Sequence, residues 1–324
     1  MSKTEQKMTP LSHSAAGSNL ARGYMIALIS AAFLSTTAIF IRYLTQVYHI
    51  PPLVLAFWRD ILVVLTLLPA LGLFRPGLLR VERRHLLYLL AYGLILSIFN
   101  VLWTLSVALN GAAIATVLVY CSAAFTALLG WWLLKERLDW VKLVAVALSL
   151  GGCVLVSGVS GPTFRHTDPT GALSGILVGA FSGLSYAAYS LMGRSASQRG
   201  LNPWTTLLYT FGFASLFLLS FNLLPGSSTR PTDLFWLGRA IDGWCVLFLL
   251  AAGPTVAGFG LYNVSLSYLP SSVANLIATS EPAFTAVIAY FLLGERLNGP
   301  QIGGGLLILF GVVFLRLYRR KSRP

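Results

Sequence analysis

The chain has 324 residues, 56% of them hydrophobic, 12% aromatic and only 10% charged, with a formal net charge of +13. Soluble domains carry about 25% charged residues, and a water-exposed chain this apolar would present large sticky patches. An ordinary soluble enzyme, a nucleic-acid-binding module and a disordered scaffold are excluded, and apolar runs of about twenty residues indicate a polytopic membrane protein.

Residues 1–22 are polar and lack the apolar core of a cleavable signal peptide, so the first span is expected to stay in the membrane. Ten spans follow: 23–44, 52–74, 86–108, 112–134, 140–158, 171–192, 203–224, 243–266, 271–293 and 298–318. Each can cross about 30 Å of hydrocarbon at 1.5 Å per residue. Helices are required because lipid offers the backbone no partners. The turns at Asn110-Gly111 and Pro270-Ser271-Ser272 are short, which makes the flanking helices antiparallel hairpins. Cys121, Cys153 and Cys245 all fall in apolar segments and read as small packing residues, not a disulfide framework or a metal cluster.

Basic residues set the direction. One side collects Lys3, Lys7, Arg22, Arg75, Arg80, Arg83, Arg84, Lys135, Arg137, Lys142, Arg194, Arg199, Arg316, Arg319, Arg320, Lys321 and Arg323. The other has only Arg42, Arg165, Arg230, Arg239 and Arg296. The positive-inside rule therefore places both termini in the cytoplasm.

Residues 115–138 and 274–297 read ATVLVYCSAAFTALLGWWLLKERL and ANLIATSEPAFTAVIAYFLLGERL, identical at 10 of 24 positions. Earlier spans match at an offset of 152, where Gly23, Ser30, Arg42 and Pro51 correspond to Gly175, Ser182, Arg194 and Pro203. The expected organisation is a polar N-terminus (1–22), a five-helix repeat (23–158), an external linker (159–170), a second repeat (171–318) and a basic tail (319–324). An odd number of spans per half inverts the second half, an arrangement typical of secondary transporters.

This 5 + 5 pattern resembles the drug/metabolite transporter superfamily, and more narrowly its EamA-type ten-helix branch. The resemblance rests on Glu281-Pro282-Ala283-Phe284-Thr285 and Leu292-Leu293-Gly294-Glu295-Arg296-Leu297. In the first half Ser122-Ala123 replaces Glu-Pro and Lys135 replaces Gly. The aromatic third span is similar to that of bacterial exporters of aromatic and other neutral amino acids. The resemblance implies an inner-membrane location and a central cavity between spans one, three, four, six, eight and nine.

Intramembrane charges are the first candidate site residues, because each is costly at the bilayer centre. Only Asp60 and Glu281 among the acids, and Arg59 among the bases, lie well within spans. They read as coupling or structural charges. Pro282 removes a backbone donor beside Glu281 and frees a carbonyl four residues earlier. Aromatic residues come next. His85, Tyr88, Tyr92, Phe99 and Trp103 keep one face of span three, with Asn100 beside them. Ser182, Tyr186 and Tyr189 repeat the pattern in span six, where Thr37 is the repeat mate of Tyr189 and Tyr262 that of Trp103. With Tyr120 in span four, these residues are expected to bind substrate, because a phenol in lipid needs a polar partner. Gly253-Pro254 interrupts span eight and reads, with Pro282, as a hinge. Gly151-Gly152 and Gly303-Gly304-Gly305 read as close-packing positions.

No HExxH, GxSxG or Walker sequence occurs. A catalytic residue, a metal and a cofactor are therefore not expected. The expected partners are a small-molecule substrate and the lipid bilayer, without nucleic acid; the sequence leaves the oligomeric state open and is compatible with a monomer. The expected activity is export of small neutral metabolites, amino acids with aromatic ones included, by alternating access. Sugars or purines are the alternative cargo, and a non-transporting receptor or scaffold the alternative class.

Overall fold

The computed structural model describes residues 11–122, scattered positions between 125 and 155, and residues 169–224, 231–269, 271–278 and 280–321. All regular structure among the described residues is helical. The later part of span four, most of span five, the 159–168 part of the linker, and residues 322–324 lie outside them.

Helix α1 runs over Leu11–Val47, α2 over Pro52–Phe74, α3 over Arg83–Asn110 and α4 over Ala112–Val119. Then come α5 (Pro169–Gln198), α6 (Pro203–Leu223), α7 (Ile241–Leu250), a π turn (Ala251–Thr255) and α8 (Val256–Tyr268). The last helices are α9 (Ser271–Ala278), α10 (Glu281–Leu293) and α11 (Gly299–Lys321). Among the described residues six helical stretches are long and apolar enough to cross a membrane: Ala21–Val47, Pro52–Phe74, Arg83–Asn110, Leu173–Gln198, Pro203–Leu223 and Ile241–Tyr268. Exposed Leu73, Phe74, Leu87 and Phe291 give the bundle an apolar outer surface suited to lipid.

Local chemistry sets the helix ends. Pro52 and Pro203 sit in the first turns of α2 and α6, where a missing N–H costs nothing. Asn202 caps α6 by accepting from Trp204 N at 3.0 Å. Gly111, at φ +84°, lets α3 end and α4 begin at once. Pro254 leaves the Leu250 carbonyl without its usual donor, and the Thr255 hydroxyl supplies one at 2.7 Å. The expected interruption of span eight at Gly253-Pro254 is this π turn.

Two expected spans are discontinuous. Span four stops at Val119, and Tyr120 tightens the last turn by bonding Val117 O at 3.2 Å. Span nine stops at Ala278 and restarts at Glu281, with Pro282 in the first turn of the new helix. The two breaks fall at matching positions of the repeated sequence, since Tyr120 aligns with Thr279 at the offset of 159.

In the core, α3 packs against α5 and α6, α1 against α8 and α10, and α4 against α5 and α10. The α4–α5 approach depends on glycine: a Cβ on Gly179 would lie 2.5 Å from the Leu118 side chain. In the glycine run of α11, Gly304 is buried. A Cβ on Gly303 would meet nothing within 4 Å, and one on Gly305 only Val117 at 3.9 Å. The reading of the cysteines is also corrected. Cys121 is disulfide-bonded, whereas Cys245 is free and exposed; Cys153 lies outside the described residues.

Candidate functional site

The two helix breaks meet. Tyr120, at the end of α4, donates its hydroxyl to Glu281 Oε2 at 2.6 Å, at the start of α10. Both residues are buried. Glu281 stands at the first position of α10, where unpaired N–H groups favour an anion. Leu34, Thr37, Phe99, Trp103, Val119, Tyr120, Tyr186, Phe259 and Glu281 line a void. Only about 20 Å³ of it is open to the centre of a water molecule, room for one or two waters. A drug-sized ligand site is roughly 300–1,000 Å³. In this conformation the space is therefore nearly closed.

The walls are aromatic. The Phe99 ring lies 5.3 Å from Tyr186 and 6.4 Å from both Trp103 and Phe259. Tyr186 is 5.7 Å from Tyr262 and 6.3 Å from Tyr189, and Tyr189 is 4.9 Å from Tyr92. Behind the rings, Tyr262 and Ser190 share a hydrogen bond at 2.9 Å, and Asn263 Nδ2 donates to the Tyr189 hydroxyl at 3.1 Å. Thr37 Oγ1 lines the void and Ser122 Oγ is buried beside the first break, both without a protein partner. Rings that stack, a carboxylate and a spare hydroxyl suit a small molecule with an apolar ring and a cationic group.

Of the residues expected to bind substrate, the structure brings Thr37, Phe99, Trp103, Tyr120 and Tyr186 to the void, together with Glu281. Tyr92, Tyr189 and Tyr262 form the layer behind them. Ser182 is buried but spends its hydroxyl on Gly179 O of its own helix, at 2.7 Å. Asn100 turns away to α2, where its Nδ2 donates to Asp60 Oδ2 at 2.6 Å. Arg59 and Asp60 are buried there too, with Arg59 Nε 3.4 Å from Asp60 Oδ1. The sequence reading missed Leu34, Val119 and Phe259. The repeat offsets carry a usable signal for two of them: Leu34 is the mate of Tyr186, and Phe259 that of Asn100.

A second polar cluster closes one end of the bundle. Glu295, just beyond α10, accepts from Ala112 N at 3.0 Å and Ala113 N at 3.1 Å, capping α4. Arg42 of α1 approaches Glu295 at 3.3 Å and donates to Ala108 O at 2.8 Å, at the end of α3. The anion sits at a helix N-terminus and the cation at a C-terminus, as the helix dipoles favour. At the other end Arg194, the repeat mate of Arg42, donates to Leu266 O at 2.8 Å, at the end of α8. No group of His, Cys, Asp and Glu among the described residues is placed to hold a metal.

Known proteins resemble this chain over most of its length. It is 28% identical to a "Probable amino-acid metabolite efflux pump" of Salmonella typhimurium, over 85% of this chain and 90% of that one. It is 28% identical to the "Threonine/homoserine exporter RhtA" of the same species, over 72% of each chain. An "Uncharacterized transporter" of Archaeoglobus fulgidus is 29% identical over 67% of this chain and 73% of its own. One solved crystal structure shares the fold at a TM-score of 0.60 and 16% identity, over 93% of this chain and 99% of that one. The model of the EamA-like transporter family matches residues 21–158 and again 173–317. With paired helix breaks around an aromatic void and a family match across nearly the whole length, the chain belongs to the EamA-like transporter family, within the drug/metabolite transporter superfamily.

Proposed function

We propose that this membrane transporter exports neutral amino acids, aromatic ones included, by alternating access of the void between α1, α3, α4, α5, α8 and α10. The observation that carries the reading is the meeting of two broken helices at Tyr120 and Glu281 inside an aromatic wall. Discontinuous helices at the midplane are where transporters of inverted-repeat design hold their cargo. The names of the efflux relatives support export and amino acids as the cargo class. A void with room for one or two waters must enlarge to admit an amino acid, so the cycle needs a conformational change.

Residues 23–158 and 171–318 form two inverted five-helix repeats joined by the 159–170 linker, and ten helices cross the membrane. Supporting this are the paired sequence blocks, the matching helix breaks, and the parallel contacts of Arg42 to Ala108 O and Arg194 to Leu266 O. Both termini face the cytoplasm. On intact cells of a Cys245→Ser background, Asp242→Cys should react with an impermeant thiol reagent and Gln198→Cys should not. The reverse pattern overturns the orientation.

The cavity reading has its own test. Trp103→Ala and Tyr186→Ala each remove a ring from the wall, and a buried aromatic contributes roughly 1–3 kcal/mol to such contacts. Competition by phenylalanine against transport should weaken about ten-fold, with folded yield nearly unchanged. Wild-type competition by both variants means that the rings only pack.

A further inference from the structure

Arg59 carries more hydrogen-bonding capacity than the protein uses. It lies on α2, fully buried, and its one hydrogen bond runs from Nε to Asp60 Oδ1 at 3.4 Å. Both terminal nitrogens, Nη1 and Nη2, are buried without a partner. Asp60 is equally buried and also accepts from Asn100 Nδ2 at 2.6 Å, while Asn100 Oδ1 has no partner. A guanidinium with two unsatisfied nitrogens inside a membrane protein is expensive, since each buried unsatisfied donor costs about 1–3 kcal/mol and charged groups more. Packing alone does not account for it. A bidentate ion pair would turn the N–H edge of the fork to the carboxylate, whereas Asp60 meets only Nε and leaves the two outer nitrogens free.

Through α3 the cluster adjoins the wall of the void. Asn100 follows Phe99, which lines it.

We propose that Arg59, Asp60 and Asn100 are the head-group subsite for an α-amino acid, whose side chain takes the aromatic void. The substrate carboxylate bonds the Arg59 Nη1/Nη2 fork, which has the planar spacing that carboxylates match. The substrate ammonium donates to Asn100 Oδ1 and Asp60. The zwitterion then satisfies every group the protein leaves unpaired in this cluster, and Asp60 keeps the cluster neutral while it is empty. The assignment rests on the amino-acid reading above and adds to it which residues read the head group.

The test is a competition series on the full chain in proteoliposomes, with L-phenylalanine, L-phenylalaninamide and N-acetyl-L-phenylalanine against transport of labelled L-phenylalanine. The wild type should bind the free amino acid at least about ten-fold more tightly than either derivative, because each lacks one charged hydrogen-bonding group. In Arg59→Gln the affinity for L-phenylalanine should fall about ten-fold while that for the amide, which has no carboxylate, stays unchanged. Asn100→Ala should weaken the free amino acid and the amide together, and leave the N-acetyl derivative as it was. A merely structural role predicts instead that Arg59→Gln weakens all three ligands equally, and that result overturns the assignment. So does a wild type that does not discriminate against the amide, a measurement that needs no variant to fold. If L-phenylalanine is neither transported nor competes with any transported amino acid, the amino-acid reading itself fails.

Discussion

Replacing Glu281 by Gln is expected to abolish the response of transport to a pH gradient while leaving substrate binding and downhill flux in place. Among the described residues Glu281 is the only acidic side chain on the void, and the Tyr120 hydroxyl holds it at 2.6 Å across the two helix breaks. An ionised carboxylate at membrane depth is stable only with partners. Here the partners are one phenol and the N-terminus of α10. Under the proposed alternating access, separation of the breaks would remove the phenol contact and change the balance between charged and neutral forms, which is how a carboxyl can take up a proton on one side and release it on the other. Glutamine keeps the size and an acceptor for Tyr120 but cannot titrate. Flux through wild type and Glu281→Gln, with and without an imposed pH difference, checks this. A variant that keeps wild-type gradient coupling removes Glu281 as the coupling group. A wild type indifferent to the gradient makes the residue structural and the protein a facilitator.

The Glu295→Ala change should open the end of the bundle that Arg42 and Glu295 close. That carboxylate makes two bonds to the N-terminus of α4 and an ion pair with Arg42. Hydrogen bonds to charged groups are each worth about 1.5–3 kcal/mol, less where water reaches them. Losing the set should shift the population toward the open form by about ten-fold or more. The readout is Thr37→Cys, on the void, labelled from outside the cell in a Cys245→Ser background. Its labelling rate should rise about ten-fold when Glu295→Ala is added. An unchanged rate means that the cluster is a helix cap and not a gate. Glu136, the repeat mate of Glu295, lies outside the described residues.

The membrane class and the family were legible because they are written in amounts and repeats. Ten apolar runs and two LL-x-ER-L motifs need no tertiary information. The void was partly legible: Phe99, Trp103 and Tyr186 follow from helical spacing, since residues three, four and seven apart share a face. The helix breaks were half legible. Pro282 announces the one at Glu281, but Tyr120 is followed by Cys, Ser and Ala, and nothing in that sequence demands a turn. It forms where α4 closes on Gly179 and Gly183 of α5 and Tyr120 reaches a carboxylate 161 residues away. Asn100 was read toward the void from its depth alone. The choice between its two faces was made by a carboxylate on another helix, Asp60, which no local pattern reveals. Arg59 was legible as an intramembrane charge, and it is fully buried beside Asp60.

The central claim is that the protein moves amino acids across a membrane, and counterflow measures that directly. Purified protein is reconstituted in liposomes loaded with one unlabelled amino acid, and uptake of the same labelled amino acid is followed, repeated over the twenty. Transient accumulation is expected for neutral amino acids, phenylalanine and tryptophan among them, and for neither aspartate nor lysine. Accumulation of no amino acid above protein-free liposomes would contradict the account.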